Sequence, residues 1–322
     1  MTAQPGLSRE VFAPRLQAGV QLGDYVLGPP LWPLRIADAY RANGPAGPST
    51  VYVIHAPIAQ HPQVRDHIIA GTRAAAALPE HKHLVRTLAA GLTGDILWIA
   101  TEDIEGSLVR DMLIKKRQAG TAGFGVRGTA NLIAGVAAAL ADVQHGALAA
   151  ESVVVSRSGR VRVVDLALGP GTAAAMVAQL VPAHSSVAPE VLAGGAPSGP
   201  ADVYGVGALL YEALVGSPLE RGGPRPSDVV AGLNKQIDDL VARSCHKDPE
   251  KRFGRVDVLG EVVAEALGKG GAVETTAIPK IADGPELADA VSPAASLASG
   301  LAAQPASPAA SGNMVVDRAL AA

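Results

Sequence analysis

Several residue types are scarce in this 322-residue chain. It has one cysteine, Cys245, so it can form no internal disulfide and offers no cysteine-built zinc site. Aromatic residues make up only 3%, and all ten lie between Phe12 and Phe253. The chain has 27 basic and 30 acidic residues, a formal net charge of −3, which provides no electrostatic basis for binding nucleic acid.

Long apolar segments are also missing. The longest apolar run, at 203–215, is interrupted by Gly205, Gly207 and Glu212, and it is shorter than the roughly 20 residues that span a bilayer. The first ten residues lack a basic stretch followed by an apolar core, so no secretory signal is visible. We therefore expect a cytoplasmic protein that does not bind membranes.

What the chain does contain is enough apolar surface, 48% of its residues, to bury a sizeable core. Its first half predicts one helix at 63–78 among short strands, which are expected at 24–27, 37–42, 50–55, 84–89 and 97–101. Its second half predicts helices at 108–115, 129–143, 201–215, 227–245 and 256–267. A small strand-rich part followed by a larger helical part indicates an α+β fold with two lobes.

The composition changes after residue 267. Residues 268–322 are mostly Ala, Ser, Pro and Gly, with no aromatic side chain. Such a segment buries too little apolar surface to offset its ordering entropy, so a disordered tail is predicted. The boundaries are then an N-terminal extension at 1–22, a small lobe at 23–103, a large lobe at 104–267, and the tail.

Four short motifs follow one another in the large lobe. They are a hairpin preceded by His145-x-x-Leu148 and followed by Asp165, then Ala188-Pro189-Glu190, then Asp202-Val203-Tyr204-Gly205-Val206-Gly207, and finally Asp248-Pro249-Glu250-Lys251-Arg252. In this order they resemble the catalytic and metal loops, the A-P-E, the D-V-Y-S-L-G and the D-P-x-x-R of protein kinases. The chain is most similar to bacterial Ser/Thr kinases of the eukaryotic-like type, over about residues 23–267. The resemblance implies the two-lobed kinase fold.

The nucleotide-binding parts of that family are altered here. Trp32, Leu34 and Ala37 stand at the three positions of the G-x-G-x-x-G loop, where glycine lets backbone N–H groups approach phosphate. Ile54 stands where the V-A-I-K strand has its lysine, and the helix position of the paired glutamate falls near Gly71 or Thr72. By resemblance, we expect no nucleotide cofactor to be bound.

The catalytic loop is altered as well. Ala147 replaces the aspartate that accepts the substrate proton, Ala149 replaces the loop lysine, and Ser152 replaces the metal-binding asparagine. Asp165 keeps the aspartate of the metal loop, although no metal is expected to bind there.

The residues that hold the large lobe together in the family are retained, namely Glu190, Asp202 and Arg252. The resemblance therefore predicts a pseudokinase that is not an enzyme and that acts as a protein-binding, scaffold or regulatory module. The alternative is an atypical Ser/Thr kinase-like enzyme that binds nucleotide through Asp165 and Arg35.

The tail contains a threonine pair, Thr275 and Thr276, after an acidic residue. This resembles acceptor sites of bacterial Ser/Thr kinases, whose phosphothreonine is bound by forkhead-associated domains; ordinary tail composition is the alternative. The expected partners are accordingly an active Ser/Thr kinase or a protein with a forkhead-associated domain. The last residues, 313–322, are either a short docking peptide or simply the chain terminus.

Overall fold

The structure, a computed structural model, describes residues 16–220 and 222–268. Thr275, Thr276, the peptide at 313–322 and nearly all of the predicted tail lie outside the described residues, as do residues 1–15 of the N-terminal extension. Predictions about these parts remain predictions.

The small lobe is built on a six-stranded antiparallel sheet in the order β1-β2-β3-β4-β6-β5. Its strands are β1 Gln21–Leu22, β2 Tyr25–Pro33, β3 Ala37–Gly44, β4 Gly47–Ile54, β5 Thr87–Thr93 and β6 Ile96–Glu102. The predicted strand at 84–89 begins later, because Leu84 forms only a parallel bridge to Val163 of the large lobe. The register of β2 against β3 shifts on either side of Pro30, and a proline has no N–H to donate to a strand pair.

Successive side chains of a strand point to opposite faces, and β4 shows what this does to the sheet. Tyr52 and Ile54 join the main hydrophobic core, which continues into the large lobe. Val51 lies on the other face with Tyr40 and Trp98, in a second, smaller cluster. Both faces of the sheet are therefore covered, and the inner face is the one that meets the large lobe.

The large lobe is mostly helical, with one small sheet. Its helices are α3 Val109–Gln118, α4 Gly125–Ala139, α5 Gly169–Val177, α6 Pro189–Leu192, α7 Gly199–Val215, α8 Pro226–Val229, α9 Gln236–Ser244 and α10 Val256–Gly268. Two further helices, α1 Ala56–Gln60 and α2 Pro62–Ala76, belong to the small lobe. The small antiparallel sheet contains β7 Ser107–Leu108, β8 Val153–Val155 and β9 Val161–Val163. These elements confirm the predicted α+β fold with two lobes.

Two differences from the predicted helices have a clear physical reason. The helix expected at 227–245 is split into α8 and α9, and Gly232 between them has a φ of 71°, which a continuing helix cannot accommodate. Helix α5 was not predicted; it starts four residues after Asp165 and its sequence is dominated by glycine and alanine. That composition lacks the apolar periodicity from which helices are usually recognised.

Helix α7 is the central element of the large lobe. Every residue from Ala201 to Val215 is buried, Ser198 caps its first turn by accepting a hydrogen bond from the Ala201 N–H, and Gly216 ends it with a φ of 87°. Although α7 is apolar, no helix in residues 16–220 and 222–268 is long and apolar enough to cross a membrane.

Candidate functional site

The residues singled out by the motifs meet where the two lobes face each other, around Asp165. The His145 ring is fully buried, and its Nε2 lies 2.7 Å from Oδ1 of Asp165. The Ser152 hydroxyl donates to Oδ2 of Asp165 at 3.0 Å and accepts from the Ala149 N–H at 3.2 Å. Both carboxylate oxygens of Asp165 thus have partners inside the protein.

The His145 imidazole responds to this environment. Burial lowers its pKa, but the adjacent Asp165 carboxylate and its hydrogen bond raise the pKa by more, so the net shift is upward. A charged His145 would form a buried ion pair with Asp165. Such a pair keeps the carboxylate in place through a hydrogen bond between opposite charges.

Asp202, in the first turn of α7, holds the backbone of the loop that carries His145. Its Oδ2 accepts from the His145 N–H and its Oδ1 from the Gly146 N–H, each at 2.8 Å. Burial raises the pKa of Asp202, against the opposing attraction of His145 and of the two N–H groups. The next residue, Ala147, is buried and presents only a methyl group where the loop of the family has its proton acceptor.

Tyr52 crosses from the small lobe to the large lobe. Its side chain is almost completely buried, and its hydroxyl donates to the Val164 carbonyl oxygen at 2.8 Å. Ile54, two residues later on the same face of β4, belongs to the core. Sequence reasoning concentrated on Ile54 and missed Tyr52; the available signal was a large side chain where V-A-I-K has alanine.

The helix position at which a paired glutamate was sought is tightly packed. A Cβ on Gly71 would lie 2.6 Å from the Ala167 carbonyl oxygen and 3.2 Å from Pro170. The neighbouring Thr72 is buried and donates its hydroxyl to the Ile68 carbonyl oxygen within α2. Helix α2 therefore lies directly against the segment between Asp165 and α5, with no room for a longer side chain at Gly71.

A network of charges connects the turn between β2 and β3 to the large lobe. Glu151 pairs through Oε1 with the Arg35 Nε at 2.8 Å and through Oε2 with the Arg110 Nη1 at 3.1 Å. The same Arg110 nitrogen donates to the Pro33 carbonyl oxygen at 3.1 Å. Arg35, considered from sequence as a phosphate ligand, is thus engaged with Glu151, and the three side chains tie the lobes together.

Glu212 of α7 lies within electrostatic range of this network. Burial raises its pKa to about 7, opposed by the positive charge of Arg117. Glu212 therefore gains its negative charge close to neutral pH, and this charge interacts with those of Arg35 and Glu151.

The positions of the expected glycine loop form a closed turn. The Leu34 N–H donates to the Ala37 carbonyl oxygen at 2.8 Å, and both residues belong to the main core. Trp32 packs against that core from a half-buried position, and its ring nitrogen is buried without a hydrogen-bond partner in the described part of the chain.

Below the cleft, Arg252 makes a two-pronged contact with Glu190. Its Nη1 and Nη2 lie 2.7 and 2.8 Å from the two carboxylate oxygens of Glu190. It also donates to the carbonyl oxygens of Pro200 and His246 at 2.9 and 2.7 Å, and its guanidinium lies over the Tyr204 ring. This contact joins α6, α7 and the segment before α10.

The groups around Asp165 do not form a metal centre in this arrangement. Within residues 16–220 and 222–268, no three His, Cys, Asp or Glu side chains are grouped so that they could hold a metal ion. The two oxygens of Asp165 are bound by His145 and Ser152. A ligand bound at the Asp165 carboxylate would therefore have to displace His145 or Ser152.

A model of the protein tyrosine and serine/threonine kinase family matches residues 46–253 of this chain. The chain belongs to the protein kinase family. It is 29% identical over 216 residues to the serine/threonine-protein kinase PknL of Mycobacterium tuberculosis, a match that covers 61% of this chain and 54% of PknL. It is 29% identical over 147 residues to PknE of the same species, covering 41% of this chain and 26% of PknE. The chain thus spans about half the length of PknL.

Solved structures of the family have the same fold. The Mycobacterium tuberculosis PknI kinase domain superposes with a TM-score of 0.64 at 21% identity, covering 78% of this chain and all of that domain. The apo form of PpkA-294 superposes with a TM-score of 0.60 at 13% identity, covering 77% of this chain and 99% of that one.

The prediction that this chain is not an enzyme is wrong in the light of these relatives. The family match runs through Ile54, Ala147 and Ser152, and the named relatives are serine/threonine-protein kinases. That prediction inferred inactivity from residue types at a few positions. What a site can do depends on all the groups around the reactants, which those positions do not describe completely.

Proposed function

We propose that this kinase-family chain acts as a protein-binding regulatory module, with both lobes contributing to the recognition surface. The observation that carries the proposal is that the chain's own side chains cross the cleft. Tyr52 reaches Val164, and Arg35 reaches Glu151, so the lobes are braced by contacts that involve no ligand. A surface held in one arrangement before binding loses less conformational freedom when a partner docks.

The partner that suits this proposal is an active Ser/Thr kinase from the same cytoplasm. Such a kinase would phosphorylate Thr275 or Thr276, and the phosphothreonine would recruit a forkhead-associated domain. Phosphate adds negative charge and acceptor oxygens, which arginine clusters recognise.

The test uses the full chain and a purified active Ser/Thr kinase of the same organism, with the dissociation constant measured by calorimetry. We expect saturable binding that weakens about tenfold in Arg35→Gln, because the lobes lose the Glu151 contact. Arg160→Gln, a change at an exposed arginine on the β8–β9 turn, is the matched control and should bind like the wild type. No binding by the wild type, or equal binding by all three proteins, would overturn the proposal.

Phosphoryl transfer to protein is the second candidate function, favoured by the relatives' names and by the retained Asp165. It requires Asp165 to exchange its hydrogen bonds with His145 and Ser152 for bonds to a ligand. Labelled ATP with magnesium and a generic protein acceptor provides the assay. Transfer that is lost in Asp165→Asn would support this candidate; transfer that persists in the variant would come from a contaminating kinase.

A further inference from the structure

The end of α3 and the start of α4 carry four positive charges. Lys115, Lys116 and Arg117 lie in the last turn of α3, and Arg127 lies in the first turn of α4. Lys116 is partly exposed and the other three are exposed. None of the four forms an ion pair within residues 16–220 and 222–268. We call these four residues the basic cluster.

Both helix ends are held against the same part of α7. The Phe124 N–H, just before α4, donates to the Ala213 carbonyl oxygen at 2.7 Å. The positive charge of Arg117 acts on Glu212, the residue before Ala213. The one acidic residue of α3, Asp111, already pairs with the arginine that precedes it, and α4 contains no acidic residue. The basic cluster is therefore a cationic surface whose own helices supply no free counter-ion.

Helix α10 runs antiparallel to α4 and ends at the level of the basic cluster. Arg255, just before α10, donates to the carbonyl oxygen of Ala141, just after α4, and a Cβ on Gly260 would lie 2.5 Å from the Cβ of Ala137. At 1.5 Å per residue, the last residue of α10 lies about 12 Å beyond Gly260, and Arg127 lies about 15 Å from Ala137 in the same direction. The chain therefore leaves α10 close to the start of α4.

The other surroundings of this exit are acidic. The Asn234 side chain donates to a carbonyl oxygen in the last turn of α10, so the start of α9 lies beside the exit. Asp238 and Asp239 lie in the first turn of α9, and α10 itself exposes Glu261 and Glu265. A negatively charged segment that follows α10 is thus repelled on these sides and attracted toward the basic cluster.

The sequence after α10 contains such a segment. Asp283, Glu286 and Asp289 recur at every third position, and no basic residue occurs at 281–316. The three carboxylates oppose the four cations of the basic cluster. A connection from the end of α10 to Asp283 spans about 50 Å when it is fully extended, which is ample to reach the start of α4.

We propose that residues 283–289 dock on the basic cluster of the same molecule. Their carboxylates pair with its lysines and arginines, and Leu287 packs against Ile114, a 39% exposed side chain of α3. Each exposed ion pair is weak, but a ligand on a short tether has an effective concentration in the millimolar range. Docking covers a cationic surface that would otherwise attract acidic partners. This inference does not depend on the proposed function, because it concerns two parts of one chain.

Carbodiimide cross-linking of the full chain tests the proposal, because this reagent joins a carboxylate to a lysine amine that touches it. Lys235, which is exposed beside the end of α10, provides an internal comparison. We expect mass spectrometry to find residues 283–289 joined to Lys115 or Lys116 about fivefold more often than to Lys235. This preference should disappear in 1 M sodium chloride, where the Debye length is about 3 Å.

Two pairs of variants separate the contribution of charge from that of the apolar contact. Arg127→Gln removes a cation that cannot itself be cross-linked, and it should lower the yield at Lys115 about threefold, within the range of exposed ion pairs. Arg65→Gln, at an exposed arginine of α2, is the matched control and should leave the yield unchanged. Ile114→Ser should lower the yield about twofold, whereas Val258→Ser, at a 43% exposed position of α10, should not.

Absent cross-links, or equal cross-linking to Lys235 and to the basic cluster, would overturn the proposal, because the segment would then have no preferred site. Equal yields from Arg127→Gln and Arg65→Gln, or a preference that persists in 1 M salt, would contradict it as well. A cross-linked product of twice the chain mass would place the segment on a second copy rather than on its own molecule. Every substituted side chain is exposed, and melting curves check that each variant is folded.

Discussion

Replacing Arg252 with alanine is expected to destabilise the large lobe strongly. The guanidinium is completely buried and holds both oxygens of Glu190 together with the carbonyl oxygens of Pro200 and His246. Breaking a buried ion pair from one side costs about 3–5 kcal/mol. Because the Glu190 side chain is 26% exposed and can be partly rehydrated, we take the lower end, about 3 kcal/mol.

This loss can be measured by thermal unfolding followed by circular dichroism. For a domain of this size, 1 kcal/mol lowers the melting temperature by about 2–4 °C, so Arg252→Ala should melt about 6–12 °C below the wild type. Arg255→Ala is the matched control: that arginine is 58% exposed and pairs with Asp257 at the surface, where ion pairs contribute little. Its melting temperature should stay near that of the wild type.

A double variant tests the cause of the loss. If the cost comes from leaving a buried partner unpaired, Glu190→Gln combined with Arg252→Met should be less destabilised than Arg252→Ala alone. An Arg252→Ala protein that melts within about 2 °C of the wild type would refute the reasoning, because an interaction of about 3 kcal/mol cannot disappear without a shift.

Three further predictions concern the cleft. Burial raises the pKa of Glu212 to about 7 from an ordinary value of 4.5, so the folded state holds the carboxyl proton more tightly than the unfolded state does. The stability of the protein therefore falls as the pH rises through about 7. Glu212→Gln should remove this fall, so the variant should melt higher than the wild type at pH 8 but not at pH 4. Gly71→Ala should cost about 1–3 kcal/mol in urea unfolding, because its Cβ would lie 2.6 Å from a backbone oxygen, whereas Gly254→Ala, in open space, should change little. Tyr52→Phe leaves the buried Val164 carbonyl oxygen unpaired and should cost about 1–3 kcal/mol by the same measurement; an unchanged midpoint would mean that water replaces the hydroxyl.

The balance between charge and burial explains why Glu212 matters for the proposed function. Raising the pH through about 7 places a negative charge among Arg35, Arg117 and Glu151. The charge attracts the arginines and repels Glu151, so it acts on the contact that braces the lobes. Binding of a protein partner that depends on this contact is then expected to vary with pH in the same range.

Some features of this protein were readable from the sequence alone. A strand-rich first half followed by a helical second half indicated two lobes, and the order of four motifs pointed to the kinase fold through their resemblance to that family. They also singled out Glu190, Arg252 and Asp202. Substitutions at Ile54 and Ala147 were visible directly, since they need only an alignment to the motif. Inferring inactivity from them was the step that failed.

Other features depended on the tertiary structure. Tyr52 and Val164 are 112 positions apart in the chain, and no local pattern indicates that a hydroxyl of one lobe meets a carbonyl of the other. The pairing of Arg35 with Glu151 and the close approach of Gly71 to the segment after Asp165 likewise appear only when the lobes are packed together. Hydrophobic periodicity reports which side of an element is buried, but not against which partner. The contacts across the cleft were therefore decided by packing between distant segments, where shape and charge must match at once.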